Sequence, residues 1–223
     1  MLLAEDLLLL VTGNASGRLS VPSAQVDAGL GGANIVDLVL MKKVDLSGNG
    51  DQGKPGRIIV RDASPAGDEM LDAALGILIG RQGSKPFTVI RPLGQNVRQA
   101  LYERLAARGA VRRGQGRTLG IFPVRTWPVQ DTQHEEPVRD LVAEALVRQA
   151  VPDARTAALI ALLHALRCEH KIVDPGPYHL SRRQLRARAA EIAQGNWAAE
   201  AVRKVISDMN SASASAAASS GAG

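Results

Sequence analysis

The stretch from Arg155 to Arg167, RTAALIALLHALR, constrains the fold more than any other. Leu159, Leu162, Leu163 and Leu166 fall at i, i+3, i+4 and i+7 of a helix, and Ala157, Ala158, Ala161 and Ala165 cover much of the remaining circumference. A helix that is apolar on nearly every side belongs in a core. Crossing a bilayer takes about 20 apolar residues, and this run is shorter and closed by arginine at both ends. With Ile160, the four leucines offer burial of about 1.5–3 kcal/mol each, while the alanines let neighbouring helices come close. The surrounding 223 residues, 45% hydrophobic and 22% charged, can build a sizeable core around such a helix and exclude disorder of the whole chain.

Hydrophobic periodicity and breakers divide the rest. Leu2 to Val11 reads as a short helix, Gly13 to Gly17 as a turn and Arg18 to Val21 as extended. A longer helix opens at Pro22 and Ser23 and runs to about Lys42, with Val26, Leu30, Ile35, Leu38 and Val39 inward; its GLGG at 29–32 marks close packing or a break. Val44–Leu46 and Arg57–Arg61 read as two strands. Asp68 caps a helix over Glu69–Gly80, Thr88–Leu93 stays unassigned, and Asn96–Arg108 is amphipathic through Val97, Leu101 and Leu105 before Gly109. Ala110–Arg112 and Thr118–Phe122 alternate as a hairpin around Gly114-Gln115-Gly116, and Pro123 to Pro128 forms a link. Helices follow over about Glu135–Gln149, Asp153–Cys168, Ser181–Gln194 and Asn196–Met209, and the Ser/Ala/Gly tail 210–223 is expected to be disordered.

Most catalytic and cofactor chemistry fails on inspection. Gly48, Gly50 and Gly53 spell GxGxxG, yet Lys54-Pro55-Gly56 and a β-branched run follow where a dinucleotide site needs a helix. Asp45, Ser47, Asn49 and Gly50 imitate the start of a calcium loop, but Gly56 stands at its twelfth position in place of glutamate. His164 and Cys168, near His170 and His179, have metal-ligand types, but the first two lie on the helix argued to be buried, where cysteine packs as a small apolar residue. No cofactor, metal, small-molecule substrate or catalytic constellation is therefore expected, and the chain reads as no enzyme. One cysteine excludes an internal disulfide and fits a reducing compartment. Glu5 and Asp6 interrupt the first apolar run, which lacks a basic start, so a signal peptide is not expected and the cytoplasm is.

The net charge of +5 is concentrated. Between Arg91 and Arg117 seven arginines face one acid, Glu103, a local charge of +6 against −1 for the rest; a second basic run holds Arg182, Arg183, Arg186 and Arg188. Arg98, with Arg91 ahead of its helix, offers forked donors to a phosphate. Arg112, Arg113 and Arg117, next to Ile121, Phe122 and Trp127, pair basic charge with an apolar edge, the combination used at membrane interfaces. The second reading is a winged-helix-like nucleic-acid-binding protein, since a helix followed by a basic hairpin has that outline. Against it, the helix uses Val97, Leu101 and Leu105 for packing and offers only Gln95, Asn96 and Gln99 as base-reading amides.

Five segments, AEDLLLL (4–10), GLGGANIVDLVL (29–40), SPAGDEMLDAAL (64–75), NVRQALYERLAARGAV (96–111) and RTAALIALLHA (155–165), resemble in order the Golgi phosphoprotein 3 family of peripheral membrane adaptors, in its prokaryotic branch. The resemblance implies a mainly α fold, a single globular helical domain over 1–209 around a buried central helix, with short strands and a protruding β-hairpin. It also implies a headgroup pocket for phosphatidylinositol 4-phosphate, membrane contact and self-association through the hairpin, and a protein cargo that the sequence does not name. The pocket of the eukaryotic members uses one tryptophan and three arginines; those positions are Pro22, Gly31, Gln95 and Arg98 here, so only Arg98 matches. Two missing arginine contacts, at about 1.5–3 kcal/mol each, imply headgroup affinity at least about tenfold lower at that pocket. With Met1 running straight into the first helix, no counterpart of the basic N-terminal tail of eukaryotic members is expected. The expectation is a cytoplasmic protein held peripherally on anionic lipid, with nucleic acid as the lesser partner.

Overall fold

A computed structural model describes residues 1–118, 122–204, 206, 207 and 210, and its first helix, α1 (Leu3–Val11), is buried along its whole length. Five leucines explain the burial, but Glu5 and Asp6 are buried with them, so their charges are met inside the fold. Glu5 Oε1 accepts from Arg104 Nε at 2.9 Å and Arg108 Nη1 at 3.0 Å, and its Oε2 accepts the Leu2 N–H at 2.8 Å. Asp6 Oδ2 takes Arg155 Nη2 at 2.7 Å.

Helix α2 (Ser23–Leu40) follows without a break. Its GLGG is a packing device. A Cβ on Gly29 would press on Leu166 and Leu7, one on Gly32 would meet Val202 and Leu162, and one on Gly31 would overlap the Ile90 carbonyl and stand 2.9 Å from Gly94 N. Two short strands come next, β1 (Val44–Leu46) and β2 (Ile58–Val60), antiparallel with Val44 opposite Val60. Asp68 caps α3 (Glu69–Ile79), its Oδ1 accepting the Met70 N–H at 3.0 Å. The segment left unassigned by periodicity is α4 (Pro86–Gly94): Pro86 supplies the first-turn geometry and Val89, Ile90 and Leu93 its buried side, although Pro92 obscures the pattern. Asn96, left-handed at φ 62°, turns the chain into α5 (Val97–Ala107).

The hairpin is real but displaced. Its strands are β3 (Gly114–Thr118) and β4 (Phe122–Thr126), with Gly114 opposite Thr126 and Thr118 opposite Phe122, and not Ala110–Arg112 with Thr118–Phe122. The glycines taken for its turn lie in a strand, and part of the supposed Pro123–Pro128 link is the other strand. Gly114 is small because a Cβ there would stand 2.6 Å from Thr126 Oγ1 and 3.2 Å from Pro128 Cδ. Ile121 and the turn itself lie outside the described residues.

The remaining helices are α6 (Glu135–Val147), α7 (Ala154–Ala165), the one-turn α8 (Glu169–Ile172), α9 (Arg182–Ile192) and α10 over 197–204. Three end earlier than periodicity predicts, because Gln149 (φ 58°), Arg167 (φ 55°) and Gly195 (φ 77°) turn left-handed after them. The central helix is α7: Ile160, Leu162 and Leu163 are fully buried, and it packs against α1, α2, α6, α8 and α9. The fold is thus mainly α and one compact domain, as expected. Met209 and the tail 211–223 lie outside the described residues. No described helix is long and apolar enough to cross a membrane.

Candidate functional site

The arginines of the basic segment do not share one role. Arg104 and Arg108 reach back to the buried Glu5, and Arg104 also holds Asp68 at 2.5 Å, which keeps the Asp68 carboxyl below its ordinary range. Leu101, Tyr102 and Leu105 of α5 are buried beside them. Arg98 is different. It lies where the start of α2, the α4–α5 junction and the root of the hairpin meet.

Two clefts adjoin there. One, of about 410 Å³, is lined by Gly17, Arg18, Leu19, Ser23, Arg98, Gln99, Tyr102, Arg125 and Trp127. The other, of about 460 Å³, is lined by Ala24, Asp27, Ala28, Arg91, Pro92, Gly94 and Gln95. The partition between them is an ion pair, Arg98 Nε to Asp27 Oδ1 at 3.0 Å. Partial burial pushes the Asp27 carboxyl up from its ordinary pKa, and the Arg98 charge pulls it back. Among the described residues, Asp27 is the only acid lining either cleft.

The first cleft has a rigid base. Tyr102 and Trp127 stack with centroids 4.8 Å apart and planes 5° from parallel, and Tyr102 Oη shares a hydrogen bond with Thr12 Oγ1 at 2.8 Å. Burial raises the Tyr102 pKa, so the phenol stays protonated. The loop bearing Arg18 is tied to the end of β4, since the Gly17 carbonyl accepts the Trp127 N–H at 2.9 Å. Gly17 is left-handed at φ 60°, and a Cβ there would overlap the Trp127 and Pro128 backbone, so only glycine fits. Above this base Arg113 stands 5.9 Å from the Trp127 ring and 3.4 Å from Glu103.

The residues expected at a headgroup site are thus divided. Arg98 lines the first cleft, Arg91 and Gln95 the second, and Pro22 sits exposed at the α2 N-cap beside both. Gly31 is buried in the contact of α2 with α4 and faces neither. Among the hairpin residues Arg112 and Arg113 are exposed; Arg117 and Phe122 are placed only by backbone, opposite Pro123 and Thr118. Trp127, read as part of an exposed apolar edge, is 4% exposed and belongs to the core. Sequence reasoning missed Arg18 and Arg125, which lie 80 and 27 residues from Arg98; a Gly-Arg after a turn and an alternating Val-Arg-Thr-Trp were the only signals.

No described cluster of three or more His, Cys, Asp or Glu side chains is arranged for a metal ion. His164 Nδ1 stands 3.5 Å from Glu169 Oε1, and Cys168 is buried with its thiol pushed up to about 12 by burial. A thiol reagent at about pH 8 should therefore leave Cys168 unmodified in the native protein and label it on unfolding in urea; rapid native labelling would contradict the packing.

A family model for Golgi phosphoprotein 3 (GPP34) matches residues 3–209. The chain belongs to the Golgi phosphoprotein 3 family. The match spans every element from α1 to α10, so the two clefts lie inside the Golgi phosphoprotein 3 unit and not on an appended segment. No curated protein matches the chain at a significant level.

Proposed function

We propose that this member of the Golgi phosphoprotein 3 family is a non-enzymatic peripheral membrane adaptor that docks on anionic lipid headgroups at the cytoplasmic face of a membrane. One observation carries the reading: four arginines (18, 91, 98, 125) line two adjoining clefts in which Asp27 is the only acid among the described lining residues. Arg91 and Arg125 have no ion-pair partner among the described residues. Such a face attracts polyanionic surfaces and holds phosphate through forked donors. Arg112 and Arg113 extend it onto the hairpin, whose unpaired edges also suit pairing with a second copy. Because Trp127 is buried, docking rests on charge and not on insertion of that ring. Phosphatidylinositol 4-phosphate is the family-based choice of headgroup, with Arg98, Gln95 and Arg91 at the rim.

Flotation tests this with vesicles that are neutral, rich in phosphatidylglycerol, or doped with phosphatidylinositol 4-phosphate. The protein should float with anionic vesicles only, less so as salt rises to about 0.15 M, and Arg98→Ala should bind several-fold more weakly. Equal recovery with neutral and anionic vesicles, or none with either, would sink the reading.

A further inference from the structure

We infer that the cleft between the β1–β2 loop and the turn after α3 is a docking site for an acidic peptide segment of a protein partner, its carboxylates held by Lys54 and Arg57. The site stands apart from the Arg98 clefts and does not rest on the lipid reading. Ser23, which lines an Arg98 cleft, opens α2, whereas β1 starts beyond the other end of that helix, after a turn in which Lys43 N–H bonds the Leu38 carbonyl at 2.9 Å. The 18 residues of α2 span about 27 Å. A chain docked on lipid at the Arg98 end keeps this second face for another partner.

The cleft has a volume of about 650 Å³, and no acid stands among its described lining residues. The acids close by in sequence are engaged elsewhere. Asp51 takes both terminal nitrogens of the Arg61 guanidinium, Nη2 to Oδ2 at 2.7 Å, and accepts the Gly48 N–H at 2.8 Å. These contacts, Arg61 first, hold the Asp51 carboxyl down to about 2. Asp45 Oδ1 accepts the Leu46 N–H at 2.7 Å, and Asp62 pairs with Lys43 at 2.9 Å. Lys54 and Arg57 are left without an ion-pair partner among the described residues.

The loop is fixed by its own bonds. Ser47 N–H donates to the Arg57 carbonyl and the Ser47 carbonyl accepts from Gly56, both at 2.8 Å. Ser47 Oγ donates to the Lys54 carbonyl at 2.8 Å and accepts the Arg57 N–H at 3.1 Å. Between these ties the lining is rich in donors. The N–H groups of Gln52, Gly53 and Lys54 make no hydrogen bond among the described residues, and Gln82, whose Oε1 accepts the Val60 N–H at 3.3 Å, keeps its amide nitrogen for a ligand. An added Cβ at Gly53 or Gly83 meets nothing within 4 Å, so both bare backbones are open to approach. Two carboxylates alone do not use that many donors. The main-chain carbonyls of an extended peptide add acceptors, and Ile58 and Ile59 supply apolar surface for the stems of its acidic side chains.

The test follows amide NMR spectra of the full chain titrated with an acetylated, amidated pentapeptide, Glu-Ala-Glu-Ala-Glu. Salt is held at about 0.15 M, where long-range attraction is screened. Shifts should saturate and centre on Gln52, Gly53, Lys54, Arg57 and Gly83. The glutamine counterpart of the peptide, glutarate and inorganic phosphate should each bind at least about tenfold more weakly. Lys54→Ala and Arg57→Gln, at side chains without a partner and so expected to fold, should each weaken the acidic peptide by about tenfold. Both should float on anionic vesicles as wild type does, and Arg98→Ala should show the reverse. Glutarate or phosphate binding as tightly as the peptide overturns the peptide ligand. Shifts of equal size around Arg98 or Arg182, or an equal loss in Arg98→Ala, mean general attraction of acid to a basic protein and overturn the site. Flotation lost in Lys54→Ala makes this face part of the membrane contact and overturns it too. Peptide binding that depends on Lys54 and Arg57 in a protein that floats on no vesicle upholds the site and removes the lipid reading.

Discussion

Replacing Arg155 with alanine is expected to lower stability by about 3 kcal/mol near neutral pH, read as a lower urea midpoint at unchanged slope. Arg155 joins three parts of the fold. It gives Nη2 to Asp6 Oδ2 at 2.7 Å and to the Met1 carbonyl at 2.9 Å, and Nη1 to Asp37 Oδ1 at 3.1 Å. Both carboxylates are buried, and Asp37 also accepts the Leu3 N–H at 2.7 Å. Without the guanidinium, two charges stay in a low-dielectric site uncompensated. The figure is set at the low end for a broken buried pair because Arg155 itself is 37% exposed and solvent screens part of its charge.

The pH dependence follows from the same geometry. Burial holds the Asp6 and Asp37 carboxyls above 3.8, and Arg155 opposes that shift in both. An acid whose folded-state pKa lies above its unfolded value favours the fold below the unfolded value, and that contribution is lost as pH rises through the folded value. Removing Arg155 raises both folded values further. The deficit of the variant should therefore be small where both carboxyls are protonated and grow as pH climbs toward 7. A deficit constant between about pH 4 and 7 would show that the carboxylates find other partners. Arg155→Lys should recover only part, since one ammonium does not match a fork serving two carboxylates and a carbonyl.

Gly94→Ala should cost about 2–3 kcal/mol by overpacking and, unlike Arg155→Ala, should also weaken lipid binding. A Cβ on Gly94 would overlap the Asp27 carbonyl and reach 3.5 Å from Ala28 N, where α4 and α2 meet backbone to backbone. Neither backbone can yield cheaply. The separation would move Asp27, the partner of Arg98, and Gln95, the residue after Gly94. Gly76→Ala is the matched control: exposed in α3, with nothing within 4 Å of its added Cβ, it should gain about 0.5–1 kcal/mol. Thermal melts and flotation of the two variants should move in opposite directions for Gly94 and Gly76 in stability, and only Gly94→Ala should lose binding. A Gly94→Ala protein as stable as wild type would mean that the helices have slack.

The helices were legible wherever burial dictates a stripe, as in α7 with its leucines or α3 behind the Asp68 cap. Their ends were less so, because a left-handed Arg167 or Gln149 carries no signature that periodicity detects. The hairpin was misplaced by four residues in its first strand because glycine has two meanings: Gly114 reads as a turn residue, but its bareness serves contact with Thr126 and Pro128. The candidate site was half visible. Arg98 and Arg91 stood out in a charge-dense run, but that run concealed that Arg104 and Arg108 serve Glu5 across the fold. Arg18 and Arg125 were invisible for the converse reason: each is an ordinary arginine until the Gly17–Trp127 hydrogen bond brings its segment to Arg98.

That bond ties together two lengths of chain that are far apart in sequence. The Gly17 carbonyl receives the Trp127 amide, and the Asn14 carbonyl receives the Val129 amide at 3.0 Å, so the α1–α2 loop and the base of the hairpin close on each other twice. Neither can swing out alone. Their amides belong to one opening unit, and the indole of Trp127 is laid fully open to solvent only when the whole clasp lets go.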